Sequence, residues 1–596
     1  MLLRLATSNI KNRIRDYIVL LTGLVMSSAI FYMFTNLATN QQLIKSNLNF
    51  QYASQVFIFG TILLMIITFV YVMYANTFLL NMRQHDYGLF MMLGAKRSRV
   101  GALMVLETLI VGIGATIIGI LFGILITGSL SGFLFNRLGL EIQHFNPLYP
   151  KAVAIAFVLF ALLFVIASFM NLQSLVRTPV LQLLKQSDSV DKFKFSRVRL
   201  IIQGIAGIIL VGLGYWSLAS IKTLQLMAIP IALITIVLGS YFIFKSSILL
   251  VITWIKKTNW ASKKLNGFTL SQIMFRVHDY TRILTITSLL FALALGAITV
   301  GAGFHREIPM IASSQSSFSL AINNPTTVQK DSIKKLNGAT SYTYQQKLDH
   351  KTVYYNQAEL DAKPFKEPVP ASDFKKPTKF KNASSKELME NTPTDFAFLA
   401  GTPKPADIKI ISDKAFKSAK GTNQVVELVT VKDIPSNYKA LTKLTDEQNK
   451  RYPSAVDNSG AGAFRSYQFV SSVFGGLEFI GYFLGIAFLA MLASCLMFKI
   501  LSGTAQDQIR YNLLLKIGTR RSLLKRSINR ELLVLFVIPG VLGIIDVLFG
   551  LQMFKPLMID PYYNISILVG IFVIMYLGYY FLTSWLYKLI VLPEKK

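Results

Sequence analysis

The sequence predicts a polytopic α-helical membrane protein with about ten transmembrane helices and one large extracellular α+β domain between helices 7 and 8. Of its 596 residues, 53% are hydrophobic and 15% are charged, and the mean hydropathy is +0.49. A soluble protein carries roughly 25% charged residues. Long apolar runs alternate with short loops, and one long hydrophilic segment interrupts them.

Ten apolar runs are predicted as the spans, because each is long enough for a bilayer, which needs about 20 residues. They cover residues 17–34, 53–80, 102–126, 152–170, 200–218, 228–252, 283–300, 477–497, 532–552 and 565–586. No small-residue cleavage site follows the first run, so we interpret it as a retained span and not as a signal peptide.

Lys and Arg concentrate in alternate loops, which predicts a multi-pass membrane protein with both termini cytoplasmic. The formal net charge is +31. Because the excess lies beside apolar runs, attraction to anionic membrane lipid accounts for it. No soluble basic domain is present, so nucleic acid is not an expected partner.

The hydrophilic segment, about residues 303–475, is long enough to form a domain with its own core. Alternating patterns predict strands at 352–355 and 424–431. Turns or loops are predicted at 404–407, 433–437 and 458–460, and a mobile surface loop at 363–386. The segment holds 24 Lys and Arg against 17 Asp and Glu. This modest positive balance favours an anionic partner, although an ordinary charged, solvated surface would give the same balance.

Two basic segments repeat each other without a gap, and repeats fix the architecture of a chain. Residues 83–107 align with 507–531, which pairs Tyr87 with Tyr511, Gly94 with Gly518 and Glu107 with Glu531. A second pair, 8–17 and 271–280, supports the first, and each copy precedes an apolar run. The membrane part therefore has two related halves.

No catalytic residues, metal ligands or cofactor site are expected in this chain. No phosphate-binding loop of the correct spacing occurs, and the five histidines are scattered without ligand spacing. The single cysteine, Cys495, lies in the eighth run and excludes an intramolecular disulfide. If the protein is a pump, its energy must come from another polypeptide.

The repeated segments are amphipathic, and Gly94 and Gly518 are predicted to end their helices. A short helix across the mouth of the bundle, with exposed apolar side chains, suits docking into a groove on a partner. A helix resting on lipid headgroups would show the same pattern. Amphipathicity alone leaves both interpretations open.

The motif at residues 83–97, with Asp-Tyr-Gly-Leu-Phe and Leu-Gly-Ala-Lys-Arg, resembles the cytoplasmic motif of the FtsX-like permease superfamily of ABC transporters. The ten spans, the large outside domain and the two copies together resemble the Bce-type permeases of bacitracin and antimicrobial-peptide resistance. The resemblance implies five parts: a first half at 1–198, a two-helix insertion at 199–255, helix 7 with its preceding amphipathic segment at 256–302, the extracellular domain at 303–475, and helices 8–10 at 476–596.

The resemblance also implies partners. An ABC ATPase subunit, expected in two copies and using ATP and Mg, would grip the coupling segments, and a membrane histidine kinase is a further candidate partner. By motif position, the candidates for coupling to the ATPase are Asp86, Tyr87, Gly88, Leu89, Gly94, Tyr511, Leu513 and Gly518.

Four further charges lie at or within the spans. Glu107 and Glu531, at the membrane entrance, are predicted to pair with nearby Arg97, Arg99, Arg526 or Arg530. Lys245 and Asp546 are intramembrane candidates for contact with a substrate, because a charge in a span is costly unless it faces a cavity or partner. Lys245 could instead reach the inner interface by snorkelling.

From this resemblance we expect the chain to be the permease subunit of an ABC transporter. The transporter would give resistance to cell-wall-targeting peptide antibiotics of the bacitracin type and would also sense them. Its ligand would be the peptide or its lipid-pyrophosphate target. Two alternatives remain open at this stage. One is a permease that handles lipids or lipoproteins, and the other is a receptor that relays antibiotic presence to a kinase without transport.

Overall fold

The computed structural model describes residues 2–12, 14–41, 48–138, 145–179, 197–259, 261–262, 265–349, 352–369, 378–400, 407–452 and 461–592. Within these residues, ten helices are long and apolar enough to cross a membrane, which confirms the predicted number. All ten predicted runs overlap these helices. Seven of these ten helices run past their predicted spans at both ends, because polar and charged residues beside an apolar run can continue the helical hydrogen bonding.

The described residues of the first half and the insertion form the helices α1 to α8 and a short connecting helix. Their bounds are α1 (Leu2–Asn12), α2 (Ile14–Thr39), α3 (Leu48–Met92), α4 (Arg97–Leu138), α5 (Pro150–Arg177), α6 (Arg197–Ala219), α7 (Ala228–Phe242) and α8 (Ile248–Ile255). A π-helical turn, Ile243–Ser247, joins α7 to α8. A short helix, Ile221–Leu224, and a 3₁₀ turn, Gln225–Met227, connect α6 to α7.

The second half begins with α9 (Asn266–Asp279) and α10 (Thr281–Ser314). After the hydrophilic segment come α17 (Ala463–Ser502), α18 (Thr504–Lys516), α19 (Arg521–Gly550) and α20 (Ile565–Val591), with a 3₁₀ turn at Leu551–Phe554. The helices of the hydrophilic segment are α11 (Thr327–Lys334), α12 (Gln357–Ala362), α13 (Ser385–Glu390), α14 (Thr394–Ala397), α15 (Asp413–Ser418) and α16 (Ile434–Arg451).

The hydrophilic segment folds as an α+β domain, as predicted, which we call the sheet domain (residues 315–462). Its strands are β1 (Leu320–Asn323), β2 (Thr340–Asp349), β3 (Thr352–Asn356), β4 (Phe365–Val369), β5 (Lys379–Ala383), β6 (Asp407–Ile411) and β7 (Thr422–Thr430). Five strands form one sheet in the order β1-β7-β2-β3-β6, and only the β3–β6 pair is parallel. β4 and β5 form a separate antiparallel pair.

Apolar side chains on alternate positions of β7 serve two cores on opposite faces of the sheet. Val426 and Leu428 lie with Tyr344 in one core, and Val429 lies with Leu441 of α16 in the other. β3 includes the whole strand predicted at 352–355. β7 includes the strand predicted at 424–431 apart from its last residue, Val431. Period-two alternation identified them because one residue in two faces each core.

Two predictions for this domain were wrong. The loop predicted at 363–386 contains β4 and β5, and Phe365 and Ala383 hold this hairpin against the domain core. The turn predicted at 433–437 is the start of α16, where the Asp433 side chain accepts from the backbone N–H of Ser436. Residues 370–377, 404–406 and 458–460 of the predicted loop and turns lie outside the described residues.

Two long helices, α10 and α17, lead into and out of the sheet domain, and we call them the stalk helices. They run past the predicted domain limits at 303 and 475. Their backbones approach closely where a Cβ on Gly481 would lie 2.5 Å from the carbonyl oxygen of Ala297 and 2.9 Å from Cα of Gly301. Glycine is therefore required at this crossing.

α17 also forms the contact between the two halves. The Tyr71 hydroxyl on α3 donates to Oγ of Ser494 on α17 at 3.0 Å. The rings of Phe57 and Phe479 meet edge to face at 5.9 Å. The insertion helices α6 and α7 pack together at Gly207 and Gly239, where a side chain on either glycine would meet the opposing backbone.

Candidate functional site

Two turns at the end of the bundle opposite the sheet domain are built alike, and we call them the elbows. The first elbow (residues 87–97) joins α3 to α4, and the second elbow (residues 511–521) joins α18 to α19. They occupy equivalent positions of the sequence repeat.

Each elbow ends its helix with the same hydrogen bonds. In the first elbow the N–H of Gly94 donates to the carbonyl of Met91 at 3.1 Å, and that of Ala95 to the carbonyl of Phe90 at 3.0 Å. The second elbow repeats both bonds at Gly518 and the residue after it. Gly94 and Gly518 both have φ of +93°, the left-handed conformation in which this helix end places glycine. The predicted helix ends are therefore observed.

The outward faces of the elbows expose apolar side chains at equivalent positions. Leu93 and its counterpart Ile517 are both 81% exposed, and Leu89 and Leu513 are 45% and 54% exposed. Met92 adds a third exposed apolar side chain to the first elbow only. Each elbow therefore presents a small apolar tip, which Gly94 or Gly518 follows directly.

The inward face of the first elbow is fixed by a buried carboxylate. The Tyr87 hydroxyl on α3 and the Asn9 amide on α1 each donate to Glu107 of α4 at 2.9 Å. Arg83 forms a buried ion pair with the same carboxylate. Three helices therefore meet at Glu107, the first residue of the predicted entrance pair.

The second elbow repeats the tyrosine–glutamate bond but draws its arginine from elsewhere. The Tyr511 hydroxyl donates to Glu531 of α19 at 3.1 Å. Arg276 of α9 forms an ion pair with Glu531 and donates to Asp507 at 2.7 Å and to the Tyr587 hydroxyl at 2.6 Å. Four helices, α9, α18, α19 and α20, therefore meet at one guanidinium group.

Burial raises the pKa of the Tyr87 and Tyr511 hydroxyls well above their usual value, and the neighbouring carboxylates raise it further. Both tyrosines therefore stay protonated at physiological pH and act as hydrogen-bond donors to the glutamates. Each buried carboxylate therefore has a tyrosine hydroxyl as a donor and an arginine as an ionic partner.

The predicted coupling residues divide between the two faces. Tyr87, Gly88 and Tyr511 point inward and are buried, Asp86 is half-buried, and Leu89 and Leu513 point outward. The sequence predicted a separate short helix for the first segment. The segment is instead the end of the 45-residue helix α3. In the second copy a break at Gly503 does create a separate helix of 13 residues.

The predicted partners of the entrance carboxylates were wrong, although both carboxylates are paired. Neither bond involves Arg97, Arg99, Arg526 or Arg530. Arg97 donates to the carbonyl of Val176 at 3.3 Å, and Arg530 to Asn266 at 2.8 Å. Positions near Glu107 and Glu531 on the same helix point to other faces, so the partners come from neighbouring helices.

The two intramembrane candidates lie apart from the elbows' anchoring clusters. Asp546 is buried and accepts from the Tyr215 hydroxyl at 2.6 Å, and the Tyr215 ring stacks on Phe549 at 4.2 Å. Asp546 therefore joins the insertion to the second half. Lys245 lies on the π-helical turn, with Nζ 5.3 Å from the centroid of the Tyr241 ring.

Sequence reasoning missed Arg83, Arg276, Asp507, Asn9 and Tyr587. A signal for four of them was present, because Arg83 aligns with Asp507 in the first repeat pair, and Asn9 and Arg276 lie in the second. A charge reversal at equivalent positions indicates that a third residue restores the balance. Only the packing of α9 and α20 identifies that residue as Arg276.

These features define a polytopic membrane protein whose two related halves each carry an elbow with an exposed apolar tip and a buried ionic anchor. The family described as FtsX-like permease C-terminal matches residues 58–180, which contain the first elbow. The chain is 22% identical to the bacitracin export permease protein BceB of Bacillus subtilis, over 92% of this chain and 93% of that protein.

Two further relatives agree. The ABC transporter permease protein YxdM of Bacillus subtilis is 24% identical, with the same shares of both chains covered. The bacitracin export permease protein BceB of Halalkalibacterium halodurans is 27% identical over 50% of this chain and 47% of its own. The chain thus carries an FtsX-like permease domain and is homologous to bacitracin-type ABC permeases, which are transport subunits.

Proposed function

We propose that this chain is the permease subunit of an ABC transporter that gives the cell resistance to cell-wall-targeting peptide antibiotics of the bacitracin type and also senses them. Two relatives are named bacitracin export permeases, and the alignment with one of them spans most of both chains. The observation that carries the coupling mechanism is the pair of matched elbows, each with an exposed apolar tip and a buried ionic anchor.

The elbows face the cytoplasm in this proposal, and the sheet domain lies outside the cell. Exposed basic side chains surround both elbows, including Arg97, Arg99, Arg521 and Lys525. Basic residues beside spans favour the cytoplasmic side. Both termini are then cytoplasmic.

Each elbow docks into one copy of an ABC ATPase, which binds and hydrolyses ATP with Mg. Leu93 and Ile517 enter an apolar groove on that subunit, with Leu89 and Leu513 beside them. The buried ion pairs prevent the elbow from bending away from its transmembrane helix, because separating them would strand a charge in the protein interior. Closure of the ATPase pair then moves whole helices.

The sheet domain receives this movement through the stalk helices and acts on the antibiotic or on its lipid-pyrophosphate target. Its excess of Lys and Arg supports an anionic ligand of this kind. A membrane histidine kinase would read the state of the transporter and supply the sensing function. Membrane lipid surrounds the ten helices.

Docking predicts that Leu93→Asp and Ile517→Asp each weaken ATPase binding by about tenfold or more, since an apolar anchor is replaced by a charge. Both side chains are 81% exposed, so the fold of the permease should not change. Copurification of the ATPase subunit with the tagged permease measures the binding, and thermal melting checks the fold.

Val328→Asp is the matched control, because Val328 is 68% exposed but lies on the sheet domain. The control should retain wild-type ATPase binding. Normal copurification with the double variant Leu93→Asp/Ile517→Asp would show that the elbows rest on lipid headgroups and do not dock.

A further inference from the structure

The anchors of the two elbows are connected to different parts of the molecule. Among the residues that the structure describes, Glu107 of the first elbow receives its bonds from Asn9 of α1 and from Arg83 and Tyr87 of α3. In the second elbow the arginine belongs to α9, which leads directly into the stalk helix α10.

A charge reversal between the repeats explains this difference. Arg83 and Asp507 occupy equivalent positions, four residues before Tyr87 and Tyr511. An arginine at this position can neutralise Glu107, whereas an aspartate adds a second buried negative charge beside Glu531. Arg276 pairs with both carboxylates at once, and its side chain is only 4% exposed. Arg510 adds a second, longer ion pair to Asp507 at 3.7 Å.

The Arg276 cluster lies at the root of both stalk helices. Tyr280 is the junction between α9 and α10, and Gly503 is the junction between α17 and α18. A Cβ on Gly503 would lie 3.3 Å from the Tyr280 hydroxyl and 3.6 Å from Oδ2 of Asp507. Lys499 of α17 closes the root by an ion pair with Asp279 at 3.2 Å.

We propose that Arg276 is a positioning residue that makes the second elbow and the roots of both stalk helices move as one unit. Movement of the ATPase therefore reaches the sheet domain mainly through the second elbow, while the first elbow holds the ATPase to the first half. This inference rests on the proposed function, because it assumes an ATPase on the elbows.

The guanidinium group suits this role because it is planar and donates in several directions at once. Its Nε pairs with Glu531 while Nη2 bonds to Asp507 and Tyr587, so no two of these helices separate without breaking a bond to a buried charge. The Tyr587 hydroxyl also donates to Asp507 at 2.8 Å, which closes the network on α20.

The test separates charge balance from connection. The double variant Arg276→Met/Asp507→Arg places an arginine where Arg83 stands in the first elbow, so Glu531 keeps a partner. α9 then loses its bonds to Glu531, Asp507 and Tyr587 but keeps the bond from Arg530 to Asn266. Spin labels at Val328→Cys and Leu557→Cys, both well exposed, report the distance between the sheet domain and the outer end of the bundle. The native Cys495 is buried.

The measurement uses the complex with its copurifying ATPase, with and without Mg-ATP and vanadate. We expect the double variant to bind the ATPase as the parent does, while the nucleotide-dependent change in label distance falls by at least half. The matched variant of the first elbow, Arg83→Met/Glu107→Gln, should retain more than half of the change.

A full distance change in Arg276→Met/Asp507→Arg would overturn the inference, because Arg276 would then only balance charge. If this variant does not accumulate, Arg276→Lys replaces it, since an ammonium group keeps the charge but cannot bridge all three partners. A full change in Arg276→Lys would overturn the inference in the same way. Absence of any bound ATPase on the parent would instead overturn the proposed function.

Discussion

At the scale of single residues, the informative feature is a carboxylate buried at the root of each elbow. Glu107 is 3% exposed and Glu531 is 1% exposed. A buried carboxylate is tolerated only with partners, and each one here has an arginine and a tyrosine hydroxyl. The local packing therefore depends on these pairs, because loss of a partner would leave a buried charge unpaired.

A double-mutant cycle on Arg83 and Glu107 should show strong coupling. Arg83→Met or Glu107→Gln alone strands or weakens a buried charge, and removal of one partner of a buried pair costs about 3–5 kcal/mol. The double variant strands neither group, so its melting temperature should lie above that of Arg83→Met. Thermal melting of the purified permease measures all four proteins.

The control for this cycle is the surface pair Lys386 and Glu390, which are spaced i,i+4 and 82% and 68% exposed in their side chains. Exposed pairs contribute about 0.3–0.5 kcal/mol. The Lys386 cycle should therefore show little coupling. Equal coupling in the two cycles would mean that the Arg83 pair is not buried as described.

At the scale of elements, both elbows depend on one residue in the left-handed conformation. Gly94 and Gly518 share φ of +93°, and a Cβ at either position would meet no atom within 4 Å. Crowding therefore does not explain the glycine, and backbone conformation does. The apolar tip stands immediately before this glycine, so the turn sets the direction in which Leu93 and Ile517 point.

Gly94→Val should disturb the first elbow without filling any occupied space. The left-handed conformation costs an L-residue about 1–2 kcal/mol. We expect faster amide hydrogen exchange across residues 87–97 and weaker ATPase binding. Gly94→Asn should be milder, because asparagine enters this conformation more readily.

Gly550→Val tests whether a side chain alone causes the effect. Gly550 also has open space around it, but its φ is −60°. Exchange across the first elbow should stay at the wild-type rate in this variant. If Gly94→Val and Gly94→Asn both showed wild-type hydrogen exchange and wild-type ATPase binding, the turn would have no fixed conformation.

At the scale of the whole molecule, the sheet domain and the elbows lie at opposite ends of two continuous helices. α10 has 34 residues and α17 has 40, so both pass from the elbow end through the bundle into the sheet domain. The glycine crossing at Gly301 and Gly481 keeps them in close contact. The sheet domain is thus a unit inserted between two helix ends.

Exchange of the sheet domain should exchange the antibiotic profile. Replacing residues 315–462 by the corresponding segment of Bacillus subtilis BceB preserves both stalk helices and the elbows. We expect the chimaera to change its resistance toward that of BceB, measured as minimum inhibitory concentrations for bacitracin and other peptides. A chimaera cut at the predicted limits, 303 and 475, divides the stalk helices and should accumulate less.

An unchanged profile in a well-accumulated chimaera would assign peptide selectivity to the membrane helices. Stimulation of the ATPase by lipid and not by peptide would favour the alternative of a lipid-handling permease. Retention of the signal after deletion of the ATPase would favour a receptor that does not transport.

The sequence by itself determined the ten helices, the inserted α+β domain and the two-fold repeat that contains the elbows. These features follow from local pattern: an apolar run must be helical in lipid, a two-residue period marks a strand, and a glycine after an amphipathic run ends a helix. The pairs Tyr87–Tyr511 and Gly94–Gly518 were visible for that reason.

Only the tertiary structure decided which arginine meets which carboxylate. Arg276 and Glu531 are 255 positions apart in the chain, and they meet because α9, α18, α19 and α20 pack around one point. The hairpin of β4 and β5 was missed for the same reason. Its lysines resemble those of a surface loop, and only the packing of Phe365 into the domain core identifies the strands. Long-range partners depend on how helices and strands pack, and local sequence pattern carries no record of that packing.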